Sequence, residues 1–161
     1  MEQFQELKEA AKKKITIADH MLTQTYPLVK DVKLLIAVLE NTFLALSYAM
    51  SSVLSYDKLF KKISVFPENF EARFHIFKEK CAPRYNIDNE YLSLIREIKD
   101  IIIAHKKSPV EFARNDRFVI CSDNYRMKTV SVDQLKKIIQ KSKMFVQETG
   151  NIVNKNDGIF G

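Results

Sequence analysis

Residues Leu34–Tyr56, LLIAVLENTFLALSYAMSSVLSY, form the longest apolar run of the chain, and whether it crosses a bilayer or fills a protein core decides the fold. About 20 consecutive apolar residues suffice to span the hydrocarbon layer. Here Glu40 and Asn41 interrupt the run and serines recur through its second half. A charge in hydrocarbon is costly, so the stretch reads as the buried helix of a soluble bundle. Its apolar residues, among them Leu35, Ile36, Leu39, Phe43, Leu46, Met50 and Leu54, occur almost all round the helix, as expected where other helices surround it. The pattern holds from about Leu28 to Ile63 and marks the central helix.

On the N-terminal side Phe4, Leu7, Ala11, Ile15, Ala18, Leu22 and Thr25 recur at three- and four-residue steps, one helical stripe that ends before Pro27. On the C-terminal side Pro67 suits the first turn of a third helix, with Phe70, Phe74, Phe77 and Cys81 as its stripe and Pro83 as its exit. A fourth helix starts near Asp88 and sets Tyr91, Ile95, Ile98, Ile102 and His105 on one face. Lys106 and Lys107 complement its negative C-terminal end, and Pro109 stops it. FVICSDNYRMKTV then places β-branched and aromatic residues on both sides of Asp123-Asn124, a hairpin signal. Ser131 and Gln134 have capping-box spacing and open a fifth helix, whose stripe is Leu135, Ile138, Ser142, Phe145 and Thr149, with Gly150 as its C-terminal cap. The expected fold is all-α: an antiparallel bundle of about five helices with a small β-hairpin before the last. One domain covers 1–153, and 154–161 is a frayed tail.

Three glycines and four prolines leave few places for the chain to break, which suits long helices. A globule of 161 residues hides roughly 70% of the surface its unfolded chain exposes, so no staple is required. Cys81 and Cys121 have no ligand spacing and read as free thiols of a reducing cytosol. No metal or cofactor is expected. MEQFQELKEAAKKK carries charges where a signal peptide needs its apolar core, so the expected location is cytoplasmic.

The net charge of +6 is confined. Between Lys106 and Lys143 stand ten Lys/Arg against four acids, and the rest of the chain carries sixteen of each. Lys106, Lys107, Arg114, Arg117, Arg126, Lys128, Lys137 and Lys141 are the candidate nucleic-acid contacts, because such a segment attracts phosphate or an acidic protein surface. Lys136 and Lys143 belong to the same segment, and the bland alternative is a solvated helix face.

Fewer residues suggest chemistry. His105, ending an apolar stripe, reads first as a helix-terminal group near the last carbonyls. His75 has Glu71 and Glu79 one turn away on either side, as on an exposed ion-pair face, and His20 stands beside Asp19. Glu40 reaches solvent or pairs with a lysine of the first helix. Tyr85, Phe118 and Tyr125 interleave with arginines as a stacking surface for single-stranded bases does, although hairpin aromatics more often pack. Nucleophile motifs, a glycine-rich phosphate loop and HExxH are all missing.

TIADHMLTQTYPLVKDVKLLIAVLENTFLALSYAMSSVLSY, with IKDIIIAHKKSPVEFARNDRFVICSDNYRMKT further on, resembles a group of small archaeal proteins of unassigned function. The order of a long helix, a central helix and a helix with a late histidine is similar to the HEPN superfamily, over about residues 10–150. That resemblance implies an antiparallel helical bundle, commonly dimeric. In active members it implies a metal-independent ribonuclease with an arginine, a spacer of four to six residues and a histidine. In this chain five residues separate Lys99 from His105, so lysine stands where the family has arginine. Lysine offers phosphate a point charge in place of a planar, bidentate fork.

Three functional expectations follow. The first is a non-catalytic helical module presenting a basic surface to RNA or another acidic partner. The second is a HEPN-type ribonuclease acting as a homodimer, with His105 and Lys99 as catalytic groups. The third is a protein–protein interaction subunit of antitoxin-like kind.

Overall fold

The structure, a computed structural model, describes residues 2–107, 111–113, 116–121 and 127–154. Its seven α-helical stretches join into five rods. The first rod comprises α1 (Gln3–His20), a π turn (Met21–Thr25) and α2 (Tyr26–Val29). The second is α3 (Val32–Leu59). The third comprises α4 (Phe70–Ile76), a second π turn (Phe77–Cys81) and α5 (Ala82–Tyr85). α6 (Asn89–Lys107) and α7 (Val132–Asn154) complete the bundle. Between them lie β1 (Glu111–Ala113), β2 (Arg117–Cys121) and β3 (Met127–Ser131) in one antiparallel sheet of order β1-β2-β3. The expected hairpin is β2–β3, and β1 widens it to three strands.

Helix starts follow local chemistry. The Asp31 carboxylate accepts from the Lys33 N–H at 2.9 Å, Asn69 Oδ1 from Ala72 N–H at 2.9 Å, and Asp88 Oδ1 from Glu90 N–H at 2.8 Å. The capping box at α7 is made as its spacing predicts: Ser131 N–H donates to Gln134 Oε1 at 2.9 Å, and Gln134 N–H to Ser131 Oγ at 3.1 Å.

Helix ends depart from the sequence reading at four places. Both in-helix prolines are passed rather than obeyed. A proline lacks the N–H for an i→i−4 bond, and its ring collides with that carbonyl. Here a widened turn precedes each one: the Tyr26 N–H reaches back five residues to Met21 O, and the Ala82 N–H to Phe77 O. One further α turn follows Pro27 and Pro83, closed by a left-handed residue, Lys30 (φ 57) or Asn86 (φ 54). Pro67 stands outside the third rod, which starts only after the Asn69 cap. Gly150 is a buried interior residue of α7, not its cap, since the helix runs on to Asn154.

α3 is the axis, packed on α1 and α7 along its length and on α6, the third rod and β2 elsewhere. By length and composition it could cross a membrane, yet fifteen of its residues are buried in the bundle. Glu40 is exposed and faces water. Asn41 Nδ2 donates to the Ala37 carbonyl at 2.9 Å. Phe77 and Tyr91 both meet the Phe145 ring, with centroids 5.9 and 5.4 Å apart. Phe118 and its cross-strand partner Val130 press the sheet onto this core, at 0% and 3% exposure.

Candidate functional site

α6 carries both proposed catalytic groups. Lys99 and His105 lie six residues apart, about 9 Å along the axis and about 120° around it. The Lys99 ammonium stands 5.1 Å from the Phe43 ring centre and 5.2 Å from that of Phe70, a cation–π position. His105 is half-buried in the last turn. The structure therefore sets Lys99 among the aromatics of α3 and α4, on a different side of α6 from the imidazole.

Arg96 extends the same cluster. It binds Glu71 in the bidentate mode, at 2.9 and 2.7 Å, with its guanidinium 4.8 Å from the Phe74 ring centre. Those hydrogen bonds hold the Glu71 carboxyl below the usual carboxylate value. Glu71 thus serves Arg96, and the ion-pair face expected around His75 does not form on that side.

The cations of the charged segment divide into two groups. Lys141 is paired with Glu90, and Lys143 with Asp19 at 2.8 Å. Lys106, Lys107, Arg117, Lys136 and Lys137 are exposed, and no ion pair among the described residues involves them. They follow one another through the end of α6, the start of β2 and the first turns of α7. Lys128 lies in β3 opposite Ile120. Arg114, Arg126, Tyr125, Pro109, the Asp123-Asn124 turn and residues 155–161 fall outside the described residues.

Within this segment Asp116 joins three elements. It has a left-handed backbone (φ 60), and its carbonyl accepts the Val132 N–H at 3.0 Å. Its carboxylate accepts from the Tyr26 hydroxyl at 2.8 Å and from Lys30 Nζ at 3.4 Å. The Tyr26 hydrogen bond holds the Asp116 carboxyl below its ordinary value. Burial and that carboxylate together push the Tyr26 phenol up to about 12.

Of the three aromatics read as a stacking surface, Phe118 is a core residue and Tyr85 belongs to a knot that sequence reasoning missed. At the end of α3, Asp57 is fully buried and accepts from Arg84 Nη1 at 2.7 Å, from the Cys81 thiol at 3.2 Å and from the Tyr85 hydroxyl. The Asp57 carbonyl accepts the Lys62 N–H at 2.8 Å, and Lys61 N–H returns to Lys58 O at 3.1 Å, a Schellman closure with Lys61 left-handed (φ 58). Lys62 then reaches over the Tyr56 and Tyr85 rings, 5.6 and 5.7 Å from their centres. Burial first, then the Asp57 carboxylate, push the Cys81 thiol and the Tyr85 phenol up. Both groups therefore stay protonated donors at neutral pH. That disposes them to hold Asp57 in place, not to act as nucleophiles. The one available sequence signal was an acid closing an apolar helix, with Cys81, Arg84 and Tyr85 clustered at the end of another.

Among the described residues, no group of three His, Cys, Asp or Glu is placed to hold a metal ion. Compared with known proteins, the chain matches no family model, and no curated protein is significantly similar to it.

Proposed function

We propose that the protein is a non-catalytic RNA-binding module whose contact surface is the basic end formed by the α6 terminus, the sheet and the start of α7. The observation that carries this reading is the set of five exposed cations, Lys106, Lys107, Arg117, Lys136 and Lys137, within the segment that holds the whole net charge. Surface lysines with carboxylate neighbours are partly neutralised, whereas cations without them keep their field for a diffusing polyanion. Binding of this kind draws its free energy largely from released counterions and has little sequence preference.

Catalysis has weaker support. The nuclease reading needs a cation and the His105 imidazole at one phosphodiester, but Lys99 is occupied by two aromatic rings. The cation for that role would have to come from elsewhere, from the basic end itself or from a second chain.

The test is fluorescence anisotropy with a labelled single-stranded RNA at 50 mM salt, run with chelator. The RNA is expected to bind and to stay intact. Replacing Lys106 and Lys107 by glutamine should weaken binding about tenfold without moving the thermal midpoint. Absence of binding by the wild-type protein overturns the reading. Cleavage that His105→Ala abolishes overturns its non-catalytic part.

A further inference from the structure

α1 and α7 are distant in sequence and adjacent in space. The two run antiparallel: Lys8 Nζ donates to Asn154 Oδ1 at one end, and Lys143 pairs with Asp19 at the other. Between them lies a groove of about 500 Å³. Lys8, Lys12 and Thr16 form its α1 wall, and Lys143, Gln147 and Asn151 its α7 wall. Among the described residues no acid lines it.

At Gly150 the Lys8 stem covers the floor. A methyl group built there would meet only the Lys8 stem, at 3.8 Å, so the lysine lies over a bare helix backbone. The α7 wall continues at helical spacing toward the basic end. Lys136, Gln140, Lys143, Gln147, Asn151 and Asn154 follow at steps of three and four, all lysines or amides. From Lys136 to Asn154 the stripe runs about 27 Å. Two of its lysines are paired, Lys12 with Glu9 at 3.8 Å on the surface and Lys143 with Asp19 at 2.8 Å in a part-buried position, so a phosphate arriving at either displaces a carboxylate.

We propose that this α1/α7 groove is a single-strand RNA subsite continuous with the basic end. In it Lys8, Lys12 and Lys143 hold phosphates, while the Gln and Asn amides meet base edges and 2′-hydroxyls. The inference rests on the RNA-binding reading above and adds where the strand runs. Amides supply donor and acceptor together, as unpaired base edges and 2′-hydroxyls require, and lysines hold the backbone as point charges. A duplex keeps its Watson–Crick edges to itself and offers such amides only its 2′-hydroxyls and minor-groove edges, so a single strand is the better fit.

The experiment uses labelled oligouridylate of about eight nucleotides, inside the ~4–16 nucleotide range of single-strand sites, with the full chain. Lys8→Gln/Lys12→Gln is compared with Lys106→Gln/Lys107→Gln and with Asn151→Glu, which adds a carboxylate at an exposed groove position. The groove double variant is expected to bind about tenfold more weakly and to lose about 1.4 from the salt slope, two contacts at about 0.7 each. Asn151→Glu should weaken binding comparably, and self-complementary duplex RNA should lose less affinity than the single strand from either change. If both groove variants bind oligouridylate as the wild type does while Lys106→Gln/Lys107→Gln loses affinity, the groove is overturned and the RNA-binding surface stands. If the wild type binds no oligouridylate at 50 mM salt, both fall.

Discussion

Among the described residues, Asp57 is a fully buried carboxylate that gathers three side-chain donors. Its carboxylate is wholly buried and tied to Arg84, Cys81 and Tyr85, so the end of α3 and the end of the third rod share one charge. Removing the cation from a fully buried pair costs about 3–5 kcal/mol, and the figure here is at the low end or below, because Arg84 is 34% exposed and Asp57 keeps two other donors. Arg84→Ala should show that loss in a urea melt at neutral pH. The raised thiol and phenol also set a sign at high pH. Their ordinary values are 9.0 and 10.0, and the folded state holds both protons more tightly than the unfolded chain does. Stability from them is fully present below about pH 9 and declines as pH rises through the range where the unfolded groups ionise. Tyr85→Phe should cost about 1.5–3 kcal/mol at neutral pH, the worth of a hydrogen bond to a charged group. It should also flatten the fall of the urea midpoint between pH 9 and 11. A variant that falls as steeply as the wild type would remove Tyr85 from this role.

At the scale of the element, the rods and the β2–β3 pair were legible because each buries a stripe whose period is visible in the sequence. Leu135, Phe145 and Thr149 on α7 are instances, as are Ile95 and Ile98 on α6. The passage of helices through Pro27 and Pro83 was not legible. A proline argues for an end on local sterics alone, and the π turns that relieve the clash leave no periodic trace. Nor was Asp57, since burial of an acid depends on partners supplied from another rod. The α1/α7 groove escaped for a related reason: Lys8 and Lys12 belong to a stretch of sequence with balanced charge, and only packing joins them to Lys143. Gly150 was read as a cap from its type, although α7 runs four residues further. An interior helical glycine costs about 0.5–1 kcal/mol relative to alanine. Because a methyl there meets only ordinary contacts, Gly150→Ala should raise stability by that amount. A thermal or urea melt showing a loss would mean that the Lys8 stem has no room to shift.

In the whole molecule a tightly keyed bundle carries a charge imbalance confined to one contiguous segment. The bundle binds Lys141, Lys143 and Lys30 into ion pairs and leaves Lys106, Lys107, Arg117, Lys136 and Lys137 outward. If that outward set meets RNA backbone, affinity must be set by the number of phosphates neutralised, about 0.7 in logarithmic salt slope for each on a single strand. The most direct measurement is the slope of log K against log salt for a labelled single-stranded RNA, taken between 50 and 200 mM. The five outward cations predict a slope of about −3.5, which the three groove lysines deepen to about −5.6 when the strand also fills the groove, nearly the same for unrelated sequences. A slope near zero, or no binding at the lowest salt, would contradict the central claim.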